Sequence, residues 1–109
     1  MLRIQIVSDL HIEFLNDADC EDWPKTGILT PKAPVLALLG DIGVCTVDSM
    51  QQRFESFISW CCSAFSNVIF VSGNHEYYND RSKETGGISV CTVNAFLNEL
   101  DKNCPISYF

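Results

Sequence analysis

The sequence predicts an α/β domain with mainly parallel strands that are joined by crossover helices. Three short apolar runs each lead directly into a polar motif, and they occupy residues 4–7, 35–39 and 68–71. Helical patterns lie between the later runs, and strands separated by helices pair in parallel. Because open α/β sheets bind ligands at the carboxyl ends of their strands, we expect the polar motifs to share one crevice.

The first strand is predicted over residues 2–7, a short apolar run with polar flanks. Residues 13–34 show no clear period and contain several acidic residues and prolines. A loop of this length inside a compact domain is either functional or contains a missed element. We expect a surface excursion beside the crevice, with a plain connector as an equal alternative. The second strand is Val35–Leu39, which ends at Gly40.

A helix follows the second strand, with Asp48 or Ser49 as its cap. Its apolar residues recur at steps of three and four, so one face should pack on a sheet: Met50, Phe54, Phe57, Ile58, Cys61 and Phe65. The third strand covers residues 68–71. A second helix should follow Gly86 and Gly87 and end near Pro105, with an apolar face of Val93, Phe96, Leu97 and Leu100. A fourth strand begins at Ile106.

Composition limits the class of protein. The 109 residues can hold one domain or a piece of one. The net charge of -7 argues against a nucleic-acid backbone as the main partner, although a bound divalent metal reverses the local charge and leaves a nuclease open. The amino terminus lacks a signal-peptide pattern, and no run reaches membrane-spanning length. Six cysteines without a C-x-x-C pair are expected to be structural, as in a reduced cytoplasmic protein.

The first two polar motifs supply candidate metal ligands. Asp9 and His11 lie two residues apart on a segment expected to be extended, where alternate side chains point the same way. Both can therefore bind one metal, while Leu10 between them points to the core. Asp41 follows Gly40, a residue that allows a sharp turn and a close backbone approach. The two carboxylate oxygens of Asp41 could bridge two cations.

The third motif contains Asn74 and His75, whose adjacent side chains diverge. The Asn74 amide oxygen can coordinate a metal while His75 faces a substrate. Glu76 and the two tyrosines after it could line the substrate entrance or, equally, pack the loop. Phosphate-loop, dinucleotide-binding and serine-hydrolase motifs do not occur in the sequence. Oxygen and nitrogen donors at three strand ends together predict a site for hard divalent metals.

These motifs resemble the first three motifs of the calcineurin-like metallophosphoesterases: Asp9-Leu10-His11, Gly40-Asp41 and Gly73-Asn74-His75-Glu76. The resemblance covers the whole chain but only about the amino-terminal half of that family's domain. It implies a four-layer αββα sandwich that binds two metals, often manganese, iron or zinc, and hydrolyses phosphate mono- or diesters. It further implies that Asp9 and His11 bind the first metal, Asp41 bridges, Asn74 binds the second, and His75 is catalytic at the leaving oxygen.

The chain departs from that pattern in its ligands. The family supplies more metal-binding histidines downstream, whereas His11 and His75 are the two histidines of this sequence. Val44 stands where many members have the last Asp of G-D-x-x-D. We therefore expect an incomplete second metal site and a partial domain over residues 1–109, with impaired hydrolysis. The alternative is a catalytically silent binding or interaction module. An unfinished sheet also predicts self-association through its exposed apolar surface.

Overall fold

The described part of the chain forms a four-stranded, wholly parallel sheet. The computed structural model describes residues 2–45, 48–73, 76, 95, 97–99 and 106–108. The strands follow one another across the sheet in chain order: β1 (Ile4–Val7), β2 (Val35–Leu39), β3 (Asn67–Val71) and β4 (Ile106–Tyr108). This architecture confirms the predicted α/β class with parallel strands, and it places every strand's carboxyl end at the same edge.

A single-turn helix, α1 (Trp23–Thr26), lies between β1 and β2. The long helix α2 (Asp48–Ala64) joins β2 to β3. The long helix begins at one of the two residues predicted to cap it. Of the second predicted helix, residues 95 and 97–99 are described, and they are helical. Its other predicted core residues, Val93, Phe96 and Leu100, lie outside the described residues. In the part of the chain that is described, no helix is both long and apolar enough to cross a membrane.

The core lies between α2 and one face of the sheet. Leu36 and Leu38 of β2 are fully buried on that face, together with Phe70 of β3. The Phe70 ring meets the Phe54 ring of α2 edge-on, with centroids 5.6 Å apart. The predicted apolar stripe of α2 is confirmed, because four of its members are completely buried: Phe54, Phe57, Ile58 and Cys61.

Residues 13–34 differ from the expectation of a surface excursion or plain connector. They contain a short 3-10 helix at Asp19–Glu21 followed by α1, and they bury Trp23 and Leu29 in the core. The Trp23 ring packs edge-on against Phe57 with centroids 5.1 Å apart. Part of this segment therefore packs against α2 through Trp23. Isolated anchor residues produce no periodic pattern, which is why the sequence did not reveal it.

The opposite face of the sheet is exposed at β1 and at the carboxyl ends of β2 and β3, whereas Val35 and Ala37 of β2 are buried on it. Ile4 and Ile6 of β1 are exposed, the latter to 68%, and Leu39 and Val71 on the neighbouring strands are also exposed. Parallel sheets are usually covered on both faces. The exposed apolar residues of this face are therefore available for packing against a further layer.

Candidate active site

The pairing of β1 with β2 continues beyond the strands into the polar motifs. Three backbone N–H groups of the first motif donate to carbonyls that follow β2: Asp9 to Gly40 at 3.0 Å, His11 to Asp41 at 3.1 Å, and Ile12 to Ile42 at 2.8 Å. The loop with Asp9 and His11 thus runs beside the loop with Asp41. The expected convergence of the first two motifs at one sheet edge is what the backbone shows.

Three of the candidate ligands have left-handed backbone conformations. The φ angles are 56° at Asp9, 50° at His11 and 54° at Asp41, and these are the non-glycine residues with positive φ in the described segments. The prediction of an extended segment at Asp9–His11 is wrong, since β1 ends at Val7. Asp and His tolerate this region better than most residues, but it still costs about 1 kcal/mol or more each. Backbone outliers of this kind cluster at functional sites.

His11 lies between two carboxylates. Its Nε2 is 3.6 Å from Asp9 Oδ1, and its Nδ1 is 3.5 Å from Oε2 of Glu13, whose side chain is largely buried. Leu10 packs against the core, as predicted. Metal-binding histidines usually direct their second ring nitrogen toward a carboxylate or carbonyl. Glu13 was missed as a site residue, and its spacing in Asp-x-His-x-Glu was the available signal.

Arg53 of α2 holds the chain that follows His11. Its Nη1 donates to three backbone carbonyls, those of Ile12 at 3.1 Å, Glu13 at 3.3 Å and Leu15 at 2.7 Å. Its Nη2 pairs with the exposed Asp17 carboxylate. One buried guanidinium therefore fixes the exit of the first motif. Sequence patterns gave no signal for this role, because Arg53 lies about forty residues from its acceptors.

Two glycines allow the ends of β2 and β3 to approach closely. Gly40 has a φ of +87°, and a Cβ there would lie 3.1 Å from the Gly73 Cα atom. A Cβ on Gly73 would lie 2.6 Å from Asp41 Oδ1 and 2.7 Å from Asp41 N. The sequence predicted a sharp turn and a close backbone approach at Gly40, and the positive φ there agrees with the turn. The lack of a Cβ at both Gly40 and Gly73 lets the start of the third motif pack against the second motif.

Glu76 binds the loops after β2 and β3 to each other. Its side chain is 0% exposed, and its two carboxylate oxygens accept four backbone N–H groups. The donors are Asp41 at 3.1 Å and Gly73 at 2.6 Å on Oε1, and Ile42 at 2.7 Å and Gly43 at 3.2 Å on Oε2. Of the two roles left open for Glu76, loop packing is the one observed. Tyr77 and Tyr78 lie outside the described residues, as do Asn74 and His75.

Comparison with known proteins identifies the family. The sequence profile of the calcineurin-like phosphoesterases matches residues 2–104. The chain belongs to the calcineurin-like phosphoesterase family. It is 32% identical over 83 residues to an uncharacterized protein of Acanthamoeba polyphaga mimivirus. That alignment covers 72% of this chain and 28% of the viral protein.

A solved structure agrees with the fold. The phosphopantetheinyl hydrolase of Mycobacterium tuberculosis superposes with a TM-score of 0.61 at 20% identity, over 96% of this chain and 34% of that one. At this identity the likeness shows the fold alone. The chain thus spans about a third or less of the length of these two proteins. The described residues correspond to the amino-terminal part of the phosphoesterase fold.

Phosphoesterases of this family are generally metal-dependent, and two of the described donors lie close enough to share one ion. Asp9 Oδ1 and His11 Nε2 are 3.6 Å apart, and an ion with ligand distances of about 2.0–2.2 Å can contact both. In the described segments no group of three or more His, Cys, Asp or Glu side chains is arranged around a common point. The separation of Asp9 and His11 is compatible with two ligands of one ion. The roles predicted for Asp9, His11, Asp41, Asn74 and His75 all stay predictions.

Cys45 lies beside the candidate ligands but is not suited to metal binding or nucleophilic attack. Its side chain is fully buried, and its backbone N–H donates to the Glu76 carbonyl at 3.1 Å. Burial raises the pKa of the Cys45 thiol well above its ordinary value, and the Glu76 and Glu13 carboxylates raise it further. A thiol that stays protonated is a poor metal ligand and a poor nucleophile. The structural assignment predicted for this cysteine therefore agrees with its environment.

Proposed function

We propose that this chain carries the amino-terminal half of the active site of a metal-dependent phosphoesterase that hydrolyses phosphate mono- or diesters. One observation carries the proposal: Asp9, His11 and Asp41 lie in hydrogen-bonded neighbouring loops at the carboxyl ends of β1 and β2. All three also have left-handed backbones, which persist where the surrounding structure holds them in place. Membership of the phosphoesterase family supports the same chemistry.

Each residue has a distinct role in the proposal. Asp9 and His11 bind one divalent cation, Asp41 bridges it to a second, and Asn74 contributes its amide oxygen to the second. The ions are manganese, iron or zinc. When bound, such cations neutralise phosphoryl oxygens and make water more acidic. His75 protonates the leaving oxygen or stabilises the transition state, a role that suits histidine because its ordinary pKa is close to neutral.

The proposal includes a limit on the isolated chain. Both histidines of the sequence are already assigned, so the second cation keeps few protein ligands and turnover should be weak. The exposed apolar residues of β1 mark the surface where the rest of a larger domain, or a second copy, would pack. A reduced cytoplasmic setting remains part of the proposal, since thiols such as Cys45 and Cys61 serve the core.

Hydrolysis of p-nitrophenyl phosphate and of bis-p-nitrophenyl phosphate with added Mn²⁺ tests this function. The chain should release p-nitrophenol from at least one of the two, and Asp41→Asn should remove that activity. Glu55→Gln is the matched control, because it makes the same change in charge at an exposed position of α2. Activity that survives Asp41→Asn, or that falls equally in Glu55→Gln, would contradict the assignment of the site.

A catalytically silent binding module is the second candidate. It is favoured by the donor geometry, because no group of three or more His, Cys, Asp or Glu side chains in the described segments is arranged to hold a metal ion. A silent module predicts that Mn²⁺ binds and raises the melting temperature while neither ester is hydrolysed. Mn²⁺-dependent turnover that is lost in Asp41→Asn would rule this candidate out.

A further inference from the structure

Among the described residues, Glu76 is the one polar or charged residue that is fully buried. A carboxylate removed from water is costly unless hydrogen bonds replace its hydration. The four backbone N–H groups at 2.6–3.2 Å provide that replacement. Hydrogen bonds to a charged acceptor are roughly twice as strong as neutral ones. Such a fully satisfied buried group rigidifies the backbone that surrounds it.

The distribution of the four bonds is informative. Oε2 accepts from Ile42 and Gly43, which belong to the loop after β2. Oε1 accepts from Asp41 in that same loop and from Gly73 at the end of β3. A single oxygen atom therefore ties two separate strand ends together. Neither loop can shift relative to the other without lengthening one of these bonds.

We propose that Glu76 is a positioning residue that sets Asp41 in register with the third motif. It acts through the backbone: its carboxylate holds the left-handed turn at Asp41 and the start of the segment that contains Asn74 and His75. In sequence, those two residues lie between Gly73 and Glu76, which are bonded to each other. The consequence for cation binding rests on the proposed function, whereas the coupling of the loops does not.

Glu76→Gln tests the coupling with little change in volume. An amide offers one acceptor oxygen, and its NH₂ group would face two of the four N–H donors. We expect amide hydrogen exchange at Asp41, Ile42, Gly43 and Gly73 to accelerate at least tenfold more than in the rest of the core. We also expect Mn²⁺ affinity, measured from the free-Mn²⁺ electron paramagnetic resonance signal, to fall at least tenfold.

Ile58→Val is the control for a general loss of stability. Ile58 is fully buried on α2, and the variant removes one methyl group from the core. It should accelerate exchange uniformly through global unfolding and leave the Mn²⁺ affinity within twofold of the wild type. Both variants are compared at a temperature where each is folded. A structural role alone would make Glu76→Gln behave like Ile58→Val.

The outcomes separate this inference from the proposed function. Local acceleration at the four amides, with weaker Mn²⁺ binding, supports both. Uniform acceleration, or Mn²⁺ affinity within twofold of the wild type, overturns the positioning role. If the wild type does not bind Mn²⁺, the proposed function fails, and the four amides still decide the coupling. If Glu76→Gln does not fold, exchange in the wild type decides: these amides must exchange as slowly as the core, and fast exchange overturns the proposal.

Discussion

Two of the loops that carry candidate ligands, those after β1 and β2, are held in opposite ways: a side chain binds the carbonyls of the first and the N–H groups of the second. In the first loop, residues 8–17, the Asp9 side chain is 61% exposed, Ile12 is buried in the core, and Arg53 of α2 binds the backbone carbonyls that follow His11. The second loop, residues 40–45, wraps around the buried carboxylate of Glu76. The exposed Asp9 side chain of the first loop can therefore be exchanged at small cost in stability. The second loop resists change because its geometry depends on buried hydrogen bonds.

Gly73→Ala should have the largest effect, because it forces the second loop away from β3. The new Cβ would lie 2.7 Å from the Asp41 backbone nitrogen, which has no rotamer with which to avoid it. Overpacking of this kind costs about 2–3 kcal/mol in the free energy of unfolding, to be measured by urea denaturation. The control is Gly27→Ala, where nothing lies within 4 Å of the added atom and the positive φ costs about 1 kcal/mol. Equal losses for both variants would refute the close approach.

Arg53→Met should come next, because it removes the support of the first loop. Three carbonyls lose a charged donor, and we expect a loss of about 2 kcal/mol in the free energy of unfolding. Proteolysis should also become faster within residues 12–17. Asp17→Asn is the control, since that carboxylate is 97% exposed and its pairing with Arg53 should contribute less than about 0.5 kcal/mol. A loss as large in Asp17→Asn would show that the exposed ion pair, rather than the carbonyls, holds the loop.

The strain at Asp41 gives a smaller effect that needs no metal. With its φ of 54°, replacement by alanine adds a penalty that glycine avoids. Asp41→Gly should therefore be more stable than Asp41→Ala by about 1 kcal/mol in metal-free thermal unfolding. Glu55→Gly against Glu55→Ala, at an exposed position inside α2, should show the reverse order because glycine weakens helices. Alanine more stable than glycine at position 41 would contradict the left-handed turn.

Asp9→Asn should have the smallest effect on stability. The side chain is mostly exposed, and asparagine tolerates the left-handed region as well as aspartate does. Without metal, we expect the free energy of unfolding to stay within about 0.5 kcal/mol of the wild type. A loss above about 1 kcal/mol would mean that the first loop depends on the Asp9 carboxylate for its structure.

Local patterns predicted the scaffold well. The bounds of β2 and the buried stripe of α2 agree with the sequence, because they depend on apolar periodicity over a few residues. The turn at Gly40 also follows from a local rule, because glycine adopts positive φ without strain. The convergence of Asp9 and His11 was expected for the wrong reason, since a left-handed turn rather than an extended strand brings them together.

Long-range hydrogen bonds could not be predicted in the same way. Glu76 contacts residues more than thirty positions earlier, and Arg53 contacts carbonyls about forty positions earlier. No short pattern encodes such partners, because they depend on how the strands are placed in the sheet. The burial of Trp23 was missed for a related reason: it pairs with Phe57 of α2 and not with its sequence neighbours.

The most direct test of a metal site at the joined loops is thermal unfolding with and without Mn²⁺. Binding to the native state at ten times Kd adds about 1.4 kcal/mol and should raise the melting temperature of the chain by about 5–10 °C. Asp9→Asn, which keeps the metal-free stability, should show no rise. An equal rise in both proteins, or no response of the wild type to Mn²⁺, would contradict the account.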